Sequence, residues 1–509
     1  MGNSYSRPAR ENLKEMFSSK GAVQSRYLNT ALGHRDESKT HALFFSKASG
    51  ASGSSLQYWT EETFVSHLVE RDPQIQDATK KAGPVLYKMM LHYGSFPFPA
   101  EQGSQLVLET FCLGIVMMSR IGLHPLLRLH NGRGEDGMLI RKRQPVDRVR
   151  LCFQSLRSQS NIDSYQVSGK RSVDDDEDLV DAIMAIGNSR PCTKVSWSRD
   201  TIINVASRLP SSYSRNLHGA VSTSDVRALI ELAVALSRTF TGAGWVPSHA
   251  GAVESLIRAF STHTNRSAEI TWENFSSTVI GSIPNLLPLL SGYIERTFEI
   301  TDQVWIDPAL EEHMHISKVL ADSKTVSPGH LAQLLLVIPG GLPLCFNNIL
   351  FQGVPREIHI NSFATQLQDP GRALFIHGRN RSQPEETKGS HTICVYTGTP
   401  KNFKHYLDNP GVWSDACIVS IISPIHHVYY PAKQEKKSLV SGNSGEERSS
   451  SHIPCVDYLD IENTPDGLNL GVQQLKMQFN EGMRVFAMDN GHMNLAIDVD
   501  ELELWSLPI

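Results

Sequence analysis

The sequence predicts an α+β protein, in which a helical N-terminal region is followed by a C-terminal β-sandwich. Between about residues 60 and 340, apolar residues recur at intervals of three and four, which is the period of an α-helix. Beyond Leu344, short alternating runs rich in β-branched and aromatic residues are bounded by Gly, Pro, Asn and Asp, which predicts strands. Since 509 residues exceed the usual size of one hydrophobic core, we expect at least two domains.

The first 40 residues are polar and serine-rich, and we expect them to form a flexible arm that carries scattered basic residues and a short amphipathic segment. The chain starts Met1-Gly2-Asn3-Ser4-Tyr5-Ser6, which fits the pattern M-G-x-x-x-[ST] for N-myristoylation of Gly2. One myristoyl chain gives marginal membrane affinity, so stable residence requires a second contact. Arg7 and Arg10 would supply part of it, and a protein partner on the membrane the rest.

Residues 41–300 are predicted to be mainly helical. Thr60–Glu70 places Phe64, Leu68 and Val69 on one side, residues 85–92 repeat the helical spacing, and Gln105–Ile121 is predicted to be the longest helix of this part. The run Ser222–Asp225 resembles a capping box ahead of a buried helix. Further helices are predicted over residues 251–260, 271–282, 286–298 and the segment SPGHLAQLLLVIP.

A change of composition separates two parts of this helical region. Residues 133–178 are charged and serine-rich, which predicts a linker or a long surface loop. The run VDDDEDLVD at its end predicts a solvated helix start, since aspartates favour a helix N-terminus.

The C-terminal region, residues 320–509, carries the predicted strands. The runs are RALFIHG, SHTICVYTG, DACIVSIIS, HHVYYP, MRVFAMD, MNLAIDVD and ELELWSLP. A polar segment, residues 433–451, interrupts them and predicts an exposed, disordered insertion.

Bulk composition disfavours several classes of function. The formal net charge of −5 gives no positive field for nucleic acid, so no direct nucleic-acid partner is expected. The seven cysteines are far apart and include no C-x-x-C pair, which predicts reduced thiols in a cytosolic protein. The most apolar run contains Glu109 and Arg120, so we interpret it as a buried helix and not a membrane span.

Short motifs give no positive indication of a catalytic, cofactor or metal site. Gly132, Gly134 and Gly137 have dinucleotide-loop spacing but follow a predicted helix, which favours a plain glycine-rich loop. The acidic run lacks the Gly and Glu that a calcium loop needs at its sixth and twelfth positions. The histidine pairs are misaligned for one metal, and no nucleophile motif is present. The residues of the acidic run and of the histidine pairs that were considered as metal ligands are Asp174, Asp176, Asp178, His313, His315, His426 and His427.

The C-terminal third resembles a TLDc domain. The segments that carry the resemblance are ILFQGVPREIHINSFATQLQDPGRALFIHG, WSDACIVSIISPIHHVYYP and the ending VDELELWSLP, which is similar to the closing strand of the family with its "E-hydrophobic-W" pattern. The glycine-rich stretch of many members appears here as DGLNLGVQQLKM. In the N-terminal part, YWTEETFVSHL and AGPVLYKMMLHYGSFPFP are similar to the fungal TLDc proteins called restriction of telomere capping.

This resemblance implies a helical, in some members EF-hand-like, N-terminal region and a β-sandwich with flanking helices. It also implies association with the vacuolar proton-pumping ATPase, oxidative-stress resistance, and a link to telomere capping that the acidic charge balance makes indirect. We therefore expect a non-enzymatic adaptor without a cofactor or metal, peripheral on the cytosolic face of a vacuolar or other endomembrane. A hydrolase or antioxidant enzyme with dispersed catalytic residues is the alternative, and a nuclear or telomeric binding protein is the third hypothesis.

Overall fold

The computed structural model describes residues 13–119, 145–157, 177–188, 199–300 and 322–337, each with short gaps or none, and ten strands between residues 348 and 506. The chain divides into two units. Unit 1 comprises Met1–Leu236 and Phe260–Trp305, and unit 2 comprises Ser237–Ala259 and Ile306–Ile509. Helices dominate the described part of unit 1 and a large antiparallel sheet that of unit 2, so the predicted α+β class is confirmed.

Several helices of unit 1 lie at or near the predicted positions, whereas those within residues 13–47, 145–156 and 199–206 were not predicted individually. In chain order the helices of unit 1 are α1 (Leu13–Met16), α2 (Lys20–Leu32), α3 (Ser38–Lys47), α4 (Glu61–Arg71), α5 (Gln76–Gly94), α6 (Leu108–Met118), α7 (Pro145–Leu156), α8 (Glu177–Asn188), α9 (Arg199–Ala206), the first part of α10 (Thr223–Thr241), α12 (Trp272–Gly281) and α13 (Leu286–Thr297).

Two short antiparallel ladders connect these helices. Strand β1 (Tyr58–Trp59) pairs with β2 (Leu106–Val107), and β3 (Ala220–Ser222) pairs with β4 (Glu269–Thr271). Each strand leads directly into a helix, namely α4, α6, α10 and α12. Thr60 and Thr271 cap two of these helices by accepting the amides of Thr63 and Asn274. The caps fix the point at which the chain changes from strand to helix.

An aromatic cluster forms part of the core of unit 1. The ring of Trp59 lies 4.7 Å from that of Phe111, and the ring of Phe298 lies 5.6 Å from Phe111 and 5.9 Å from Phe64. Trp59 Nε1 donates to the carbonyl of Phe44 at 2.9 Å, which satisfies the buried indole. The cluster therefore joins residues far apart in the sequence.

The predicted flexible arm is wrong for Leu13–Leu32. Helix α2 buries Val23 and Tyr27, and the ring of Tyr27 lies 5.4 Å from that of Phe96. Gln24 Nε2 donates to the carbonyl of Ser95 at 2.8 Å. The amphipathic segment predicted within the arm is therefore a packed helix, and the polar residues around its apolar positions are the reason that it was expected to be mobile. Residues 1–12, with Gly2, Arg7 and Arg10, lie outside the described residues.

Residues 133–178 were predicted to be a linker or surface loop, and this prediction is wrong for residues 145–156, which form the amphipathic helix α7. Phe153 is buried and its ring lies 5.5 Å from that of Phe275. The predicted helix Gln105–Ile121 also differs, because Leu106–Val107 is a strand. The longest helix of this part is instead α5, with 19 residues against 11 in α6. Helix α5 contains Pro84, and a proline inside a helix normally ends or kinks it, so the sequence alone predicted a shorter helix.

Helices α5 and α6 are in close contact through glycine. A Cβ on Gly94 would lie 2.1 Å from the carbonyl oxygen of Thr110, a distance that forces the backbones apart. We expect Gly94→Ala to lower the free energy of unfolding by about 2 kcal/mol, as overpacked cores do. Gly292→Ala in α13 is the matched control, since nothing lies within 4 Å of the added Cβ.

The control substitution should raise stability by roughly 0.5–1 kcal/mol, because alanine favours the helix more than glycine does. Urea denaturation followed by far-ultraviolet circular dichroism measures both variants. Equal effects of the two substitutions would contradict the close contact.

Unit 2 contains a ten-stranded antiparallel network. Its strands are β5 (Asn348–Gly353), β6 (Arg372–Asn380), β7 (Ser390–Thr397), β8 (Ile418–Ser423), β9 (His427–Tyr429), β10 (Asp460–Thr464), β11 (Gly467–Val472), β12 (Leu475–Asn480), β13 (Val485–Asp489) and β14 (Asn494–Ser506). The order is β10-β11-β12-β13-β14-β6-β7-β8-β9, and β5 also pairs with β14. Helices α11 (Pro247–Ala259) and α14 (Pro328–Val337) belong to this unit and contact each other.

The predicted strands of this region are present, and two of them are joined. MNLAIDVD and ELELWSLP form the single strand β14, which pairs with β13 at its start, with β5 at its end and with β6 along its other edge. The strands β5 and β10–β12 were not among the predicted strand runs. The predicted insertion at residues 433–451 lies outside the described residues.

Candidate functional site

Polar side chains share one face of the central strands of unit 2. In the register of β14, β6 and β7, Glu501 lies opposite His377, which lies opposite Thr392. The next row on the same face contains Glu503, Phe375 and Cys394. Because side chains alternate along a strand, the intervening residues face the other way, and they are apolar. In these two rows the sheet thus has one apolar face and one face with ionisable groups.

Glu503 is the centre of this polar face. Its side chain is 0% exposed, and its carboxylate accepts five hydrogen bonds. The donors are Ser323 Oγ at 2.7 Å, the Lys324 amide at 2.8 Å, the Thr325 amide at 2.9 Å, Gln352 Nε2 at 2.7 Å and Trp505 Nε1 at 2.9 Å. We call this set the carboxylate hub. It holds the strap, residues 322–326, against strands β14 and β5.

The strap leads into helix α14 through local hydrogen bonds. The amide of Val326 donates to Ser323 Oγ at 2.8 Å, and the amide of His330 donates to Ser327 Oγ at 3.3 Å. The amide of Ser327 in turn donates to His330 Nδ1 at 3.3 Å, a reciprocal arrangement like a capping box. The carboxylate hub therefore fixes both the strap and the start of α14.

Two buried histidines of unit 2 have pKa values below the ordinary value, and one of them, His330, lies beside the hub. Burial lowers the pKa of His330 to about 4, and the neighbouring His377 adds to the shift. Burial also lowers the pKa of His391. For Glu501, burial and then the nearby Glu503 raise the pKa of the carboxyl group. Desolvation is the first cause in each case, as expected where a charged form loses water.

The polar face contains one pair with catalytic chemistry. His377 Nδ1 lies 3.0 Å from Thr392 Oγ1, the relation of a general base to a hydroxyl nucleophile. Thr392 is only 1% exposed, however, so a substrate carbonyl has no access to its oxygen. The five hydrogen bonds of Glu503 likewise occupy its oxygens. The arrangement is suited to fixing the chain in place.

The cysteines and potential metal ligands in the described parts of the chain likewise form no reactive site. Cys112, Cys152 and Cys394 are buried and form no disulfide. Burial raises the pKa of the Cys152 thiol to about 12, which suppresses the reactive thiolate. Among the residues that the structure describes, no group of three or more His, Cys, Asp or Glu side chains is arranged to hold a metal ion. Within those same residues, no helix is sufficiently long and apolar to cross a bilayer.

One predicted site residue has a role that differs from the prediction. Asp178 was predicted to lie at a solvated helix start, but it is buried at the start of α8 and accepts Arg150 Nη2 at 2.8 and 3.0 Å. The guanidinium also donates to Gln154 Oε1 at 3.0 Å. A buried carboxylate needs such a partner. The prediction that Asp178 is solvated was therefore wrong.

The other predicted positions cannot be compared with a site, because their side chains lie outside the described residues. His427 lies in strand β9, but its side chain is not described. The remaining positions lie wholly outside the described residues, and they are Gly2, Gly132, Gly134, Gly137, Asp174, Asp176, His313, His315 and His426.

Sequence reasoning did not assign a role to the carboxylate hub. The signal was present in the ending ELELWS, where a glutamate and a tryptophan two residues apart must share one face of a strand. The donors from residues 323–325 and 352 are distant in sequence, and only the fold brings them to Glu503. Comparison with known proteins gave no match to any family model and none to a curated protein.

Proposed function

We propose that this chain is a non-catalytic TLDc adaptor, held on a membrane by a lipid on Gly2, that binds the peripheral part of the vacuolar proton-pumping ATPase and changes its assembly. The observation that supports it best is the carboxylate hub. It gives a physical role to Glu503 and Trp505, the two residues that carry the most specific part of the TLDc resemblance. Links to oxidative-stress resistance and, indirectly, to telomere capping come with the same proposal.

The helical unit is compatible with the proposed family. Residues 38–118 contain helix, strand and helix twice, α3-β1-α4 and α5-β2-α6, and the two short strands pair. This repetition favours an EF-hand-like N-terminal region. The β-sandwich with flanking helices remains part of the proposal, and the antiparallel network of unit 2 with α11 and α14 supports it.

The enzyme alternative would use the His377–Thr392 pair. The burial of Thr392 argues against it, and so does the raised pKa of Cys152 for thiol chemistry. We therefore favour recognition over catalysis.

Affinity capture and fractionation test the proposal. Tagged full-length protein should recover ATPase subunits from vacuole-bearing cells under mild detergent, and it should sediment with membranes. Gly2→Ala removes the acylation site, so most of the protein should move to the soluble fraction. Asn3→Ala keeps the M-G-x-x-x-[ST] pattern and should behave as the unaltered chain.

Two results would count against different parts of the proposal. Absence of ATPase subunits from the captured material would remove the partner. Identical distributions of the Gly2→Ala and Asn3→Ala variants would remove the lipid anchor.

A further inference from the structure

Helix α13 lies along a groove between helices α4, α5 and α6 of the same unit. Ser291 Oγ donates to the carbonyl of Met118 in α6 at 2.6 Å, and towards the other end Arg296 forms an ion pair with Asp72, which follows α4. We call this surface the α4–α6 groove. Its residues that contact α13 or Phe298 are Phe64, Asp72, Thr79, Met89, Phe111 and Met118.

The buried residues of α13 have the spacing of a helix that binds in a groove. Leu286, Leu290, Tyr293 and Ile294 are buried and follow one another at i, i+4, i+7 and i+8. Phe298, which directly follows the helix, extends this row into the aromatic cluster of the groove. EF-hand-like pairs, which the units α3-β1-α4 and α5-β2-α6 resemble, bind amphipathic helices in methionine-rich grooves. Helix α13 therefore occupies the position of such a bound helix.

The fit between α13 and the groove is incomplete. A cavity of about 20 Å³ remains between the methionines of α5 and α6 and the leucines of α13. Atoms that line a void lose the dispersion contacts that a filled site would give them. The apolar residues around this cavity include Met89, Met117, Met118, Leu287 and Leu290.

A buried imidazole lies at the other end of the same contact. His67 is 1% exposed, and its ring lies 5.2 Å from that of Phe298. Among the described residues, neither ring nitrogen of His67 has a well-aligned hydrogen-bond partner. Burial lowers the pKa of His67 to about 4, and the carbonyl of Thr297 at the end of α13 opposes this shift only in part. A buried polar group without a partner is costly, so this end of the groove is incompletely satisfied as well.

The conformation of α13 is also unfavourable at two residues. Glu299, directly after Phe298, has a φ of 53°, a left-handed conformation that is costly for a residue with a Cβ. Gly292 lies inside the helix and lowers its helix propensity. The cavity, the unsatisfied imidazole and these two residues all lie in or against one segment, which favours a segment that another helix can replace.

We propose that the α4–α6 groove is a recognition site for an amphipathic helix, and that α13 occupies it as a resident ligand that a helix of the partner displaces. This inference rests on the proposed function and names the surface and the chemistry of the partner. The partner helix carries apolar residues at the positions of Leu286, Leu290 and Ile294 and a cation facing Asp72. A helix that fills the cavity and bonds to His67 gains the contacts that α13 leaves unmade.

Binding of a fluorescein-labelled peptide of residues 284–300 to the full-length protein, followed by fluorescence anisotropy, tests the inference. Phe298→Ala loosens the resident helix and leaves the groove unchanged, so this chain should bind the peptide at least about tenfold more tightly than the unaltered chain. Gly292→Ala is the matched variant with the opposite effect. It strengthens α13 without a clash and should bind the peptide about two- to fivefold less tightly. A Phe298→Ala chain with unaltered circular dichroism that binds no better overturns the inference.

A charge exchange locates the bound peptide. On the Asp72→Lys chain, a peptide with Arg296→Glu should bind about tenfold more tightly than the unaltered peptide, and on a chain that keeps Asp72 the order should reverse. If both chains bind the two peptides equally, the peptide lies outside the groove and the inference is overturned. This comparison decides the matter even where the Phe298→Ala chain does not fold.

Capture of ATPase subunits separates this inference from the proposed function. If the peptides bind as expected and none of the chains recovers subunits, the groove stands and the proposed partner fails. If all chains recover subunits equally and the peptide does not bind, the proposed partner stands and the groove is overturned. Greater recovery by Phe298→Ala and smaller recovery by Gly292→Ala support both.

Discussion

Replacing Glu503 by alanine is expected to lower the free energy of unfolding of unit 2 by about 4 kcal/mol. The buried carboxylate accepts five hydrogen bonds, so its removal leaves two backbone amides, a hydroxyl, a side-chain amide and an indole without their acceptor. Each buried donor without a partner costs about 1–3 kcal/mol, and water that enters the space recovers part of the sum.

Substitutions on the same strand serve as controls. Glu501→Ala removes a carboxylate two residues away that is only partly buried, and we expect a loss below about 1 kcal/mol. Glu503→Gln keeps the shape but places an amide donor against the other donors of the hub, so its effect should be intermediate. Urea denaturation followed by tryptophan fluorescence measures all three variants. A Glu503→Ala chain as stable as Glu501→Ala would contradict a structural role for the hub.

The same disruption should reach the strap and helix α14. Lys324 and Thr325 donate their amides to Glu503, and the strap continues directly into the helix. Hydrogen exchange of these amides should accelerate in Glu503→Ala even under conditions where the sheet remains folded. The hub is thus expected to determine the local stability of this surface of unit 2.

Periodic apolar patterns were sufficient to predict much of the fold. Helix α4 was predicted from Phe64 and Leu68, which are buried in the structure, and α12, α13 and the strands β6 and β7 lie where alternation and helical spacing place them. Helices α4 and α12 bury one face, and β6 and β7 are apolar runs buried over most of their length, so the sequence of each element contains the signal on its own.

The missed elements depend on partners that are distant in sequence. Helix α2 buries Val23 and Tyr27 against residues near 95, and its polar outer face made it look like an arm. The α7 helix was hidden by the charges of Arg148 and Arg150. The site was missed for the same reason, because Glu503 becomes a hub only when the strap and β5 reach it.

The Arg150–Asp178 pair should show the second large effect, in unit 1. Both side chains are buried, and Arg150 Nη2 bonds both oxygens of Asp178. Asp178→Ala leaves a buried guanidinium without its carboxylate, and we expect a loss of about 3–5 kcal/mol. Arg150→Met leaves the carboxylate unpaired and should have a similar effect.

The double variant tests whether the loss comes from burial. With Arg150→Met and Asp178→Leu together, neither charge of the pair is left alone, and Asp147, whose Oδ1 is 4.0 Å from Arg150 Nε, loses only a weaker contact. Stability should therefore return to within about 1–2 kcal/mol of the unaltered chain. Arg379→Ala is the exposed control, since its pair with Asp500 has side chains 59% and 42% exposed and should contribute less than about 1 kcal/mol. Additive losses in the double variant would mean that packing, and not an unpaired charge, accounts for the effect. Recovery would instead mean that Arg150 of α7 and Asp178 of α8 stabilise the fold only as a pair.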